Sequence, residues 1–415
     1  MEGNQLFEIR CPKRKTNKQR RSKLLLPSEQ NCNSFHVVMR FPIKVAQMFS
    51  FLPIGGIDGP TSKSIRFRWI SWKMGYAFVT FVLFVINIGV LFYIILVRGL
   101  NMLRLSYLIF HAEALILTVL YGKLAKEWPD FVREWDRVEV SMKHYELPQN
   151  LRKTLKVVTS LFLSVAFVEH NMLTYNKLAI SFGPGVSAYD VFKEYFTCRS
   201  YWDVFAFVDY SVWMGIILQI LNWQRTFMWT YTDVFIILMG ICISLKLRQI
   251  KRRAKNLSQL KIADIRPWRS LREDYVKLTR LLIITNEKLS YIIIVSYSAN
   301  MYFILIQLFS ILSEGIQGYN LIYLWISFGL LIARLTYVCY YGGTPANECL
   351  EIVKILNAVK GTNIEINRFI THISTHEMVL TGMNFFKITQ NLILKIATAL
   401  VGYELVMIQM YIHRT

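Results

Sequence analysis

Long apolar runs recur along the chain and alternate with polar segments that are rich in basic residues. A helix needs roughly 20 residues to cross a bilayer, and most of these runs have that length. They lie near 74–97, 105–122, 157–178, 291–313, 320–342 and 392–412. One longer run extends from about Trp202 to Leu245 and has room for one crossing or for two. The pattern predicts an all-α membrane protein, because a helix satisfies its own backbone hydrogen bonds within lipid.

The positions of the basic residues distinguish between one and two crossings in the long run. With one crossing near 226–246 and the N-terminus inside, 40 of the 48 Lys and Arg residues lie in the inside segments 1–73, 123–156, 246–290 and 343–395. Two crossings would move the cluster between Lys246 and Lys255 outside, and the reversed orientation would move all 40, against the positive-inside tendency. We therefore predict seven transmembrane helices, with the N-terminus cytoplasmic and the C-terminus extracellular.

The composition supports a membrane protein and excludes several other classes. Hydrophobic residues make up 54% of the chain and charged residues only 18%, which leaves too few polar groups to cover a soluble domain. The net charge of +21 is concentrated beside the apolar runs, where it acts as a topology signal, so we expect no nucleic-acid partner. The cysteines show neither a Cys-x-x-Cys pair nor a Cys/His metal pattern. Without such a pattern or a catalytic motif, we expect no metal, no cofactor and no enzyme.

Two kinds of sequence lie outside the spans. Residues 1–40 form a basic tail that we expect to be disordered and cytoplasmic, and residues 41–415 form the seven-span domain. Within that domain, half-apolar segments with helical spacing lie at 124–145, 271–289 and 349–370, and such helices need a surface to pack on. They could lie on the membrane surface, but we favour helical extensions of the spans that bundle beneath the membrane as an anchor region and contact other subunits.

Aromatic residues near the middle of the long run also predict a local environment. Trp223 and Trp229 bracket Gln224 and Arg225. This pattern is typical of an aromatic belt at the membrane interface.

The end of the chain carries the marker residues of a known family. Insect gustatory receptors have Thr-Tyr, five mostly apolar residues and Gln-Phe in the last span. Here Tyr403 and Gln409 stand at that spacing, with Gly402 and Met410 in the flanking places, and Glu404 follows the tyrosine as in the sugar-receptor branch. Further stretches resemble that branch in order along most of the chain: FLPIGGI, LAKEWP, VEH, REDYVKL, IYLW and TGMNFF. The chain therefore resembles the sugar receptors among the insect gustatory receptors.

This resemblance implies a fold and a function. It implies a sweet-taste receptor of the plasma membrane that is a sugar-gated, non-selective cation channel and conducts Na⁺, K⁺ and Ca²⁺. It also implies a homotetramer, or a hetero-oligomer with other gustatory receptors, in which the seventh spans line one central pore. Each subunit would hold a mono-, di- or oligosaccharide in the outer half of its spans.

A sugar pocket needs hydrogen-bonding amides and carboxylates together with aromatic rings, because a sugar presents hydroxyls and weakly apolar faces. Intramembrane carboxylates, three of them facing one pocket, would bind a polyol through charge-assisted hydrogen bonds. Each candidate also has a structural alternative: an ion pair for the carboxylates, an interhelical hydrogen bond for the amides and an interface anchor for the tryptophan. The outer halves of the predicted spans supply the candidates Tyr107, His111, Glu113, Glu169, His170, Asp233, Asn300, Gln307, Tyr323 and Trp325.

The last span carries the expected pore and gate residues. Six positions separate Tyr403 from Gln409, which is about 120° around a helix, so the two cannot both face a central pore. We predict that an apolar ring of this helix closes the pore by dewetting, with Gln409 close to it, and that Glu404 faces water at the outer mouth. The pore and gate candidates are Tyr403, Glu404, Val406, Met407, Gln409 and Met410.

Three other functions must be distinguished from a sugar-gated channel. A G-protein-coupled receptor has the opposite orientation, and the Asp136-Arg137 pair lies in a polar loop instead of at the end of the third span. A sugar transporter usually shows internal repeats, and none is visible in this sequence. A membrane glycosidase would use paired carboxylates and would be recognised by turnover of a sugar.

Overall fold

The computed structural model describes residues 33–146, 150–182, 185–262, 264–312, 319–359 and 363–412. These residues fold almost entirely into helices, with two short antiparallel β-hairpins. The helices are α1 (Phe35–Met48), α2 (Trp72–Arg98), α3 (Met102–Ser141), α4 (Leu151–Ala179), α5 (Ala188–Glu194), α6 (Val212–Gln259), α7 (Ile265–Leu312), α8 (Tyr319–Ala358), α9 (Ile364–Thr375) and α10 (Leu392–Ile412). The strands are β1 (Ile54–Gly55), β2 (Arg66–Phe67), β3 (Thr381–Gly382) and β4 (Phe386–Lys387).

The all-α membrane fold is confirmed. Among the described residues, α2, α3, α4, α6, α7 and α8 are long and apolar enough to cross a membrane. Helix α10 has 21 residues and is about 31 Å long at 1.5 Å per residue, close to the thickness of the hydrocarbon core. Each predicted span lies within one of these helices, apart from residue 313, which is outside the described residues. Because α6 is one continuous helix, the long run crosses once, as the basic residues predicted.

Helix α6 is the centre of the bundle. Within its most apolar stretch 89% of the residues are buried, whereas the other five long spans bury 39% or less of theirs. It touches α8 through the backbone, because a Cβ atom at Gly240 would lie 2.4 Å from the carbonyl oxygen of Tyr341 and 3.0 Å from Cα of Gly342. Only a glycine permits this approach. We call this contact the glycine crossing.

The helices α3, α6, α7 and α8 continue beyond the predicted spans and bundle with α1 and α9. We call this bundle the extension region. Its core is aromatic, since Trp128, Trp135 and Trp268 are each 1% exposed or less, and the ring of Phe35 stacks on Trp135 with centroids 4.1 Å apart. Trp128 and Trp135 belong to the same continuous helix as the second span. The predicted helical extensions are therefore confirmed, and the alternative of separate helices on the membrane surface is wrong for this segment.

Helix α1 begins before the predicted boundary at residue 40. It is helical from Phe35 because its apolar face is covered, with Phe35, Val38 and Met39 all buried. The backbone nitrogen of Phe35 donates to Oε2 of Glu139 in α3 at 3.1 Å, which satisfies one of the amides left free at a helix start. Residues 1–32 of the predicted tail lie outside the described residues.

Two of the family-like stretches form the β-hairpins. FLPIGGI contains β1, and TGMNFF contains β3 and the start of β4. Met383 and Asn384 in the second turn have φ angles of 48° and 60°, the left-handed pair that a tight hairpin turn requires. Gly56 has φ +73°, and a Cβ atom there would lie 1.9 Å from the carbonyl oxygen of Ser64. These motifs therefore encode turns.

Candidate functional site

A cavity of about 280 Å³ lies between α3, α4, α6, α7 and α8. Its walls come from the beginnings of α3 and α8, the ends of α4 and α7 and the first half of α6, so it lies at the end of the bundle away from the extension region. Its volume is near the lower limit of small-molecule sites, and its mixture of aromatic, amide and charged groups suits a polar ligand. In the described part of the chain, no group of three or more His, Cys, Asp or Glu side chains could hold a metal ion.

The cavity brings together six of the predicted binding residues. They come from α3, α4, α7 and α8, which approach one another only in the folded bundle. The lining residues are Tyr107, His111, Glu169, His170, Gln307 and Tyr323. These six side chains therefore share one cavity, and their role in binding a sugar stays a prediction.

A carboxylate, a hydroxyl and an amide form one polar wall of the cavity. Ser327 Oγ donates to Glu169 Oε1 at 2.5 Å, and Gln307 Nε2 donates to Ser327 Oγ at 3.2 Å. An ionised carboxylate has about four acceptor positions, so Glu169 keeps the capacity to accept hydrogen bonds from ligand hydroxyls. Gln307 likewise has a free acceptor, since its Oε1 has no hydrogen-bond partner among the described residues.

A cation–π pair forms another wall of the cavity. Arg334 Cζ lies 4.3 Å from the centroid of the Trp229 ring, and both residues line the cavity. Behind them, Arg334 Nε pairs with Asp233 Oδ2 at 2.7 Å, and Asp233 Oδ1 accepts from Ser296 Oγ at 2.5 Å and from Asn300 Nδ2 at 2.9 Å. Trp229 Nε1 in turn donates to Asn300 Oδ1 at 2.9 Å. This network holds the indole ring in one orientation.

The other four predicted binding residues lie outside the cavity lining. Asp233 and Asn300 support the Trp229 wall from behind, so for Asn300 the interhelical hydrogen bond that we kept as an alternative is the role observed. Glu113 is 5% exposed, and neither of its carboxylate oxygens has a hydrogen-bond partner among the described residues. Trp325 is 52% exposed. The expectation that Glu113, Glu169 and Asp233 face one pocket is wrong, because of these three only Glu169 lines it and Asp233 is already paired with Arg334.

The segment between α4 and α6 covers one side of the cavity. His170 Nε2 lies 3.4 Å from Gln219 Nε2, and Gln219 Oε1 accepts from Tyr195 Oη at 2.9 Å and from Tyr201 Oη at 2.8 Å. Deeper in the wall, the carbonyl oxygen of Tyr107 accepts from His111 Nδ1 at 2.7 Å. Because His170 and Tyr201 both line the cavity, this hydrogen-bonded chain joins the covering segment to the site.

Arg225 is a cavity residue that the sequence patterns did not indicate. It lines the cavity and is 3% exposed, and its Nε and Nη1 atoms have no hydrogen-bond partner among the described residues. Its Cζ lies 5.5 Å from the Phe84 ring centroid and 5.9 Å from that of Phe110. The predicted interfacial belt at 223–229 is wrong, since Gln224 is also buried, at 4% exposure. A lone arginine inside an apolar run is costly, and that cost was the available signal.

Helix α10 buries one face and exposes another. Ile396 and Leu400 are buried, whereas Tyr403 is 60% and Val406 52% exposed, and Gln409 is exposed as well. The side chains of the remaining pore candidates, Glu404, Met407 and Met410, lie outside the described part of the chain. The exposed face of α10 is thus available to lipid or to a second chain.

The fold defines a multi-pass α-helical membrane protein, and its bundle encloses a cavity with polar lining residues. The chain belongs to the trehalose receptor family, whose model matches residues 13–414. It is 27% identical over 385 residues to gustatory receptor 5a for trehalose of Drosophila melanogaster, covering 91% of this chain and 85% of that receptor. It is 28% identical over 400 residues to gustatory receptor for sugar taste 64a of the same species, covering 92% and 86%. The resemblance to insect sugar receptors is confirmed, and the chain is a receptor and not an enzyme.

Solved structures show the same fold. The insect olfactory receptor OR5 from Machilis hrabei superposes with a TM-score of 0.66 and 12% sequence identity, covering 90% of this chain and 97% of that one. The same receptor in complex with eugenol gives a TM-score of 0.65 over 90% and 99% of the two chains. At this identity the similarity concerns the arrangement of the helices.

Proposed function

We propose that this protein is a sugar receptor of the plasma membrane that opens a cation channel when a sugar binds. The observation that carries the proposal is the cavity, which combines a carboxylate, amides and hydroxyls with a fixed indole ring. These are the groups that a polyol with weakly apolar faces requires. The names of the Drosophila relatives, which refer to trehalose and to sugar taste, support the same ligand class.

The polar wall of the cavity supplies the proposed hydrogen bonds. Glu169 accepts from sugar hydroxyls, and Gln307 and Ser327 serve both as donors and as acceptors. The ring of Trp229 provides a surface for the C–H face of the sugar, since Asn300 and Arg334 hold it in place. The ligand would bridge α4, α6, α7 and α8, so binding can bias how these helices are arranged.

The proposed pore is formed by the exposed face of α10 in a tetramer. This tetramer is a homomer or is shared with other gustatory receptors, and it conducts Na⁺, K⁺ and Ca²⁺. Helix α10 packs on α7 and α8, which carry Gln307 and Ser327, so a change at the cavity has a direct route to the pore helix. The N-terminus and the extension region would be cytoplasmic and the cavity extracellular. Sugar would open the channel only through tighter contacts in the open state.

Whole-cell recording tests this function. The chain is expressed alone, and currents are measured for a panel of mono-, di- and trisaccharides. Glu169→Gln should raise the half-maximal sugar concentration about tenfold or more, because a hydrogen bond to a charged group contributes about 1.5–3 kcal/mol. Asp209→Asn is the matched control, since Asp209 is an exposed acid outside the cavity lining, and it should respond like the wild type. No current with any sugar, despite surface expression, would refute a homomeric channel.

Two alternative functions make different predictions in the same cells. A G-protein-coupled receptor would expose an N-terminal epitope tag on intact cells, whereas the proposed receptor hides it until the cells are permeabilised. A sugar transporter would take up radiolabelled sugar without ionic current.

A further inference from the structure

Arg225 differs from Arg334, the other arginine that lines the cavity. Arg334 has an ion-pair partner and two acceptors, since its Nε lies 2.7 Å from Asp233 Oδ2 and its two terminal nitrogens donate to Thr230 Oγ1 at 2.9 Å and to Asn300 Oδ1 at 3.2 Å. Arg225 is as deeply buried, but its Nε and Nη1 atoms have no hydrogen-bond partner among the described residues. A guanidinium carries five donors and no acceptor. Such a group held in a membrane span without acceptors is costly unless a ligand supplies them.

The surroundings of Arg225 position its guanidinium without satisfying it. The rings of Phe84 and Phe110 flank Cζ at 5.5 Å and 5.9 Å, and such cation–π contacts stabilise the charge in part but provide no oxygen. Asp203 lines the same cavity, yet among the described residues no ion pair within 4.0 Å joins it to Arg225. The unused donors therefore belong to a residue that lines the cavity.

We infer that Arg225 is the specificity-determining donor of this site and that its guanidinium hydrogen-bonds two neighbouring hydroxyl oxygens of the sugar. The inference rests on the proposed function, because it assumes that the cavity binds a sugar. It adds which chemical feature of the sugar is recognised, namely a vicinal pair of hydroxyls, and which residue recognises it.

The charge of the lining indicates that this sugar is neutral. The formal positive charges of Lys177 and Arg225 are matched by the negative charges of Glu169 and Asp203, all of which line the cavity. The further positive charge of Arg334 is neutralised from behind by Asp233. A sugar acid or a sugar phosphate would bring an unmatched negative charge into this balance, whereas a neutral polyol leaves it unchanged.

The experiment compares a parent sugar with its monodeoxy analogues in the wild type and in variants. Trehalose and D-glucose are measured beside analogues that each lack one hydroxyl, with sugar-evoked current and with ligand-induced thermal stabilisation of the purified protein as readouts. In the wild type, the loss of a hydroxyl that Arg225 recognises should raise the half-maximal concentration tenfold or more. In Arg225→Met the parent sugar and that analogue should differ by less than twofold, because the donor is gone.

Two further variants separate the role of the guanidinium from that of charge. Arg225→Lys keeps the charge but lacks the planar set of donors, so its discrimination between parent and analogue should fall between those of the wild type and Arg225→Met. Arg98→Met removes an exposed arginine at the end of α2, outside the cavity lining, and should discriminate like the wild type.

Several results would overturn the inference. One is equal discrimination in the wild type and in Arg225→Met. Another is glucuronate acting more strongly than D-glucose on the wild type but not on Arg225→Met, which would identify an anionic ligand. If Arg225→Met fails to fold, Arg225→Lys takes its place, and equal discrimination in Arg225→Lys and the wild type contradicts the inference. A wild type that binds no sugar by either readout contradicts the proposed function itself.

Discussion

The buried ion pair behind the Trp229 wall should be the most sensitive point of the transmembrane bundle. Asp233 is 0% exposed, lies 2.7 Å from Arg334 Nε and also accepts from Ser296 and Asn300. Asp233→Ala leaves the Arg334 guanidinium buried without its counter-charge. Removing one partner of such a pair costs about 3–5 kcal/mol, because the remaining charge is still excluded from water.

Thermal unfolding of the detergent-purified protein measures this loss. With an unfolding entropy of roughly 2.1 cal/mol/K per residue and 415 residues, that cost lowers Tm by about 3–6 °C. Arg334→Met should lower Tm as well, since it leaves the Asp233 carboxylate unpaired. The double variant should be more stable than the sum of the two single changes predicts, because neither charge then remains.

Asp209→Ala is the control for removing an acidic side chain, and since Asp209 is exposed it should change stability by no more than about 0.5 kcal/mol. The stabilising role of the ion pair is refuted if Asp233→Ala melts within about 1 °C of the wild type. It is also refuted if the double variant loses the full sum of the single losses, since the two charges would then be uncoupled.

Three other predictions concern the remainder of the structure. Gly56→Ala should lower surface expression and Tm, because φ at Gly56 is +73° and the added Cβ would lie 1.9 Å from a carbonyl oxygen. Gly89→Ala is the control and should lower neither, since no atom lies within 4 Å of a Cβ at Gly89. Equal Tm values for the two variants would contradict this prediction. Burial raises the pKa of the Cys349 thiol to about 12, so N-ethylmaleimide at pH 7.5 should modify it at least about 100-fold more slowly than the exposed Cys198. Peptide mass spectrometry gives both rates, and similar rates would show that Cys349 is accessible. Gly240→Ala should lower Tm by forcing α6 away from α8, and an unchanged Tm would show that the two helices can separate freely.

The parts of the fold that depend on local pattern could be predicted from the sequence. The spans follow from apolar runs of bilayer length, the single crossing of α6 from the distribution of basic residues, and the extension region from apolar positions such as Trp128 and Trp135 at helical spacing. Each of these signals is contained within one segment of the chain. Composition and periodicity therefore suffice for them.

The candidate site could be predicted only in part, because pairing between helices is not visible in one sequence. Residue type and expected depth in the membrane selected Glu169 and Gln307, which line the cavity. They also selected Asp233, since nothing in the sequence indicates that Arg334, on another helix, already pairs with it. Arg225 was assigned to a membrane interface because the sequence indicates its position along the apolar run but not the direction in which its side chain points. The proposed role of Arg225 depends on the lack of hydrogen-bond acceptors around its guanidinium in the described part of the chain. That lack can be seen only when the helices are packed together.

The glycine crossing gives α6 a fixed contact point with α8, which can act as the pivot of a tilting motion. No side chain separates α6 from α8 at Gly240, so we expect the two helices to stay in contact at this point when α6 tilts. Along the helix, Arg225 lies about 22 Å from the pivot on one side and Lys251 about 16 Å on the other, at 1.5 Å per residue. A tilt of α6 that moves Arg225 towards the cavity therefore moves the part of α6 around Lys251 in the opposite direction by a similar distance.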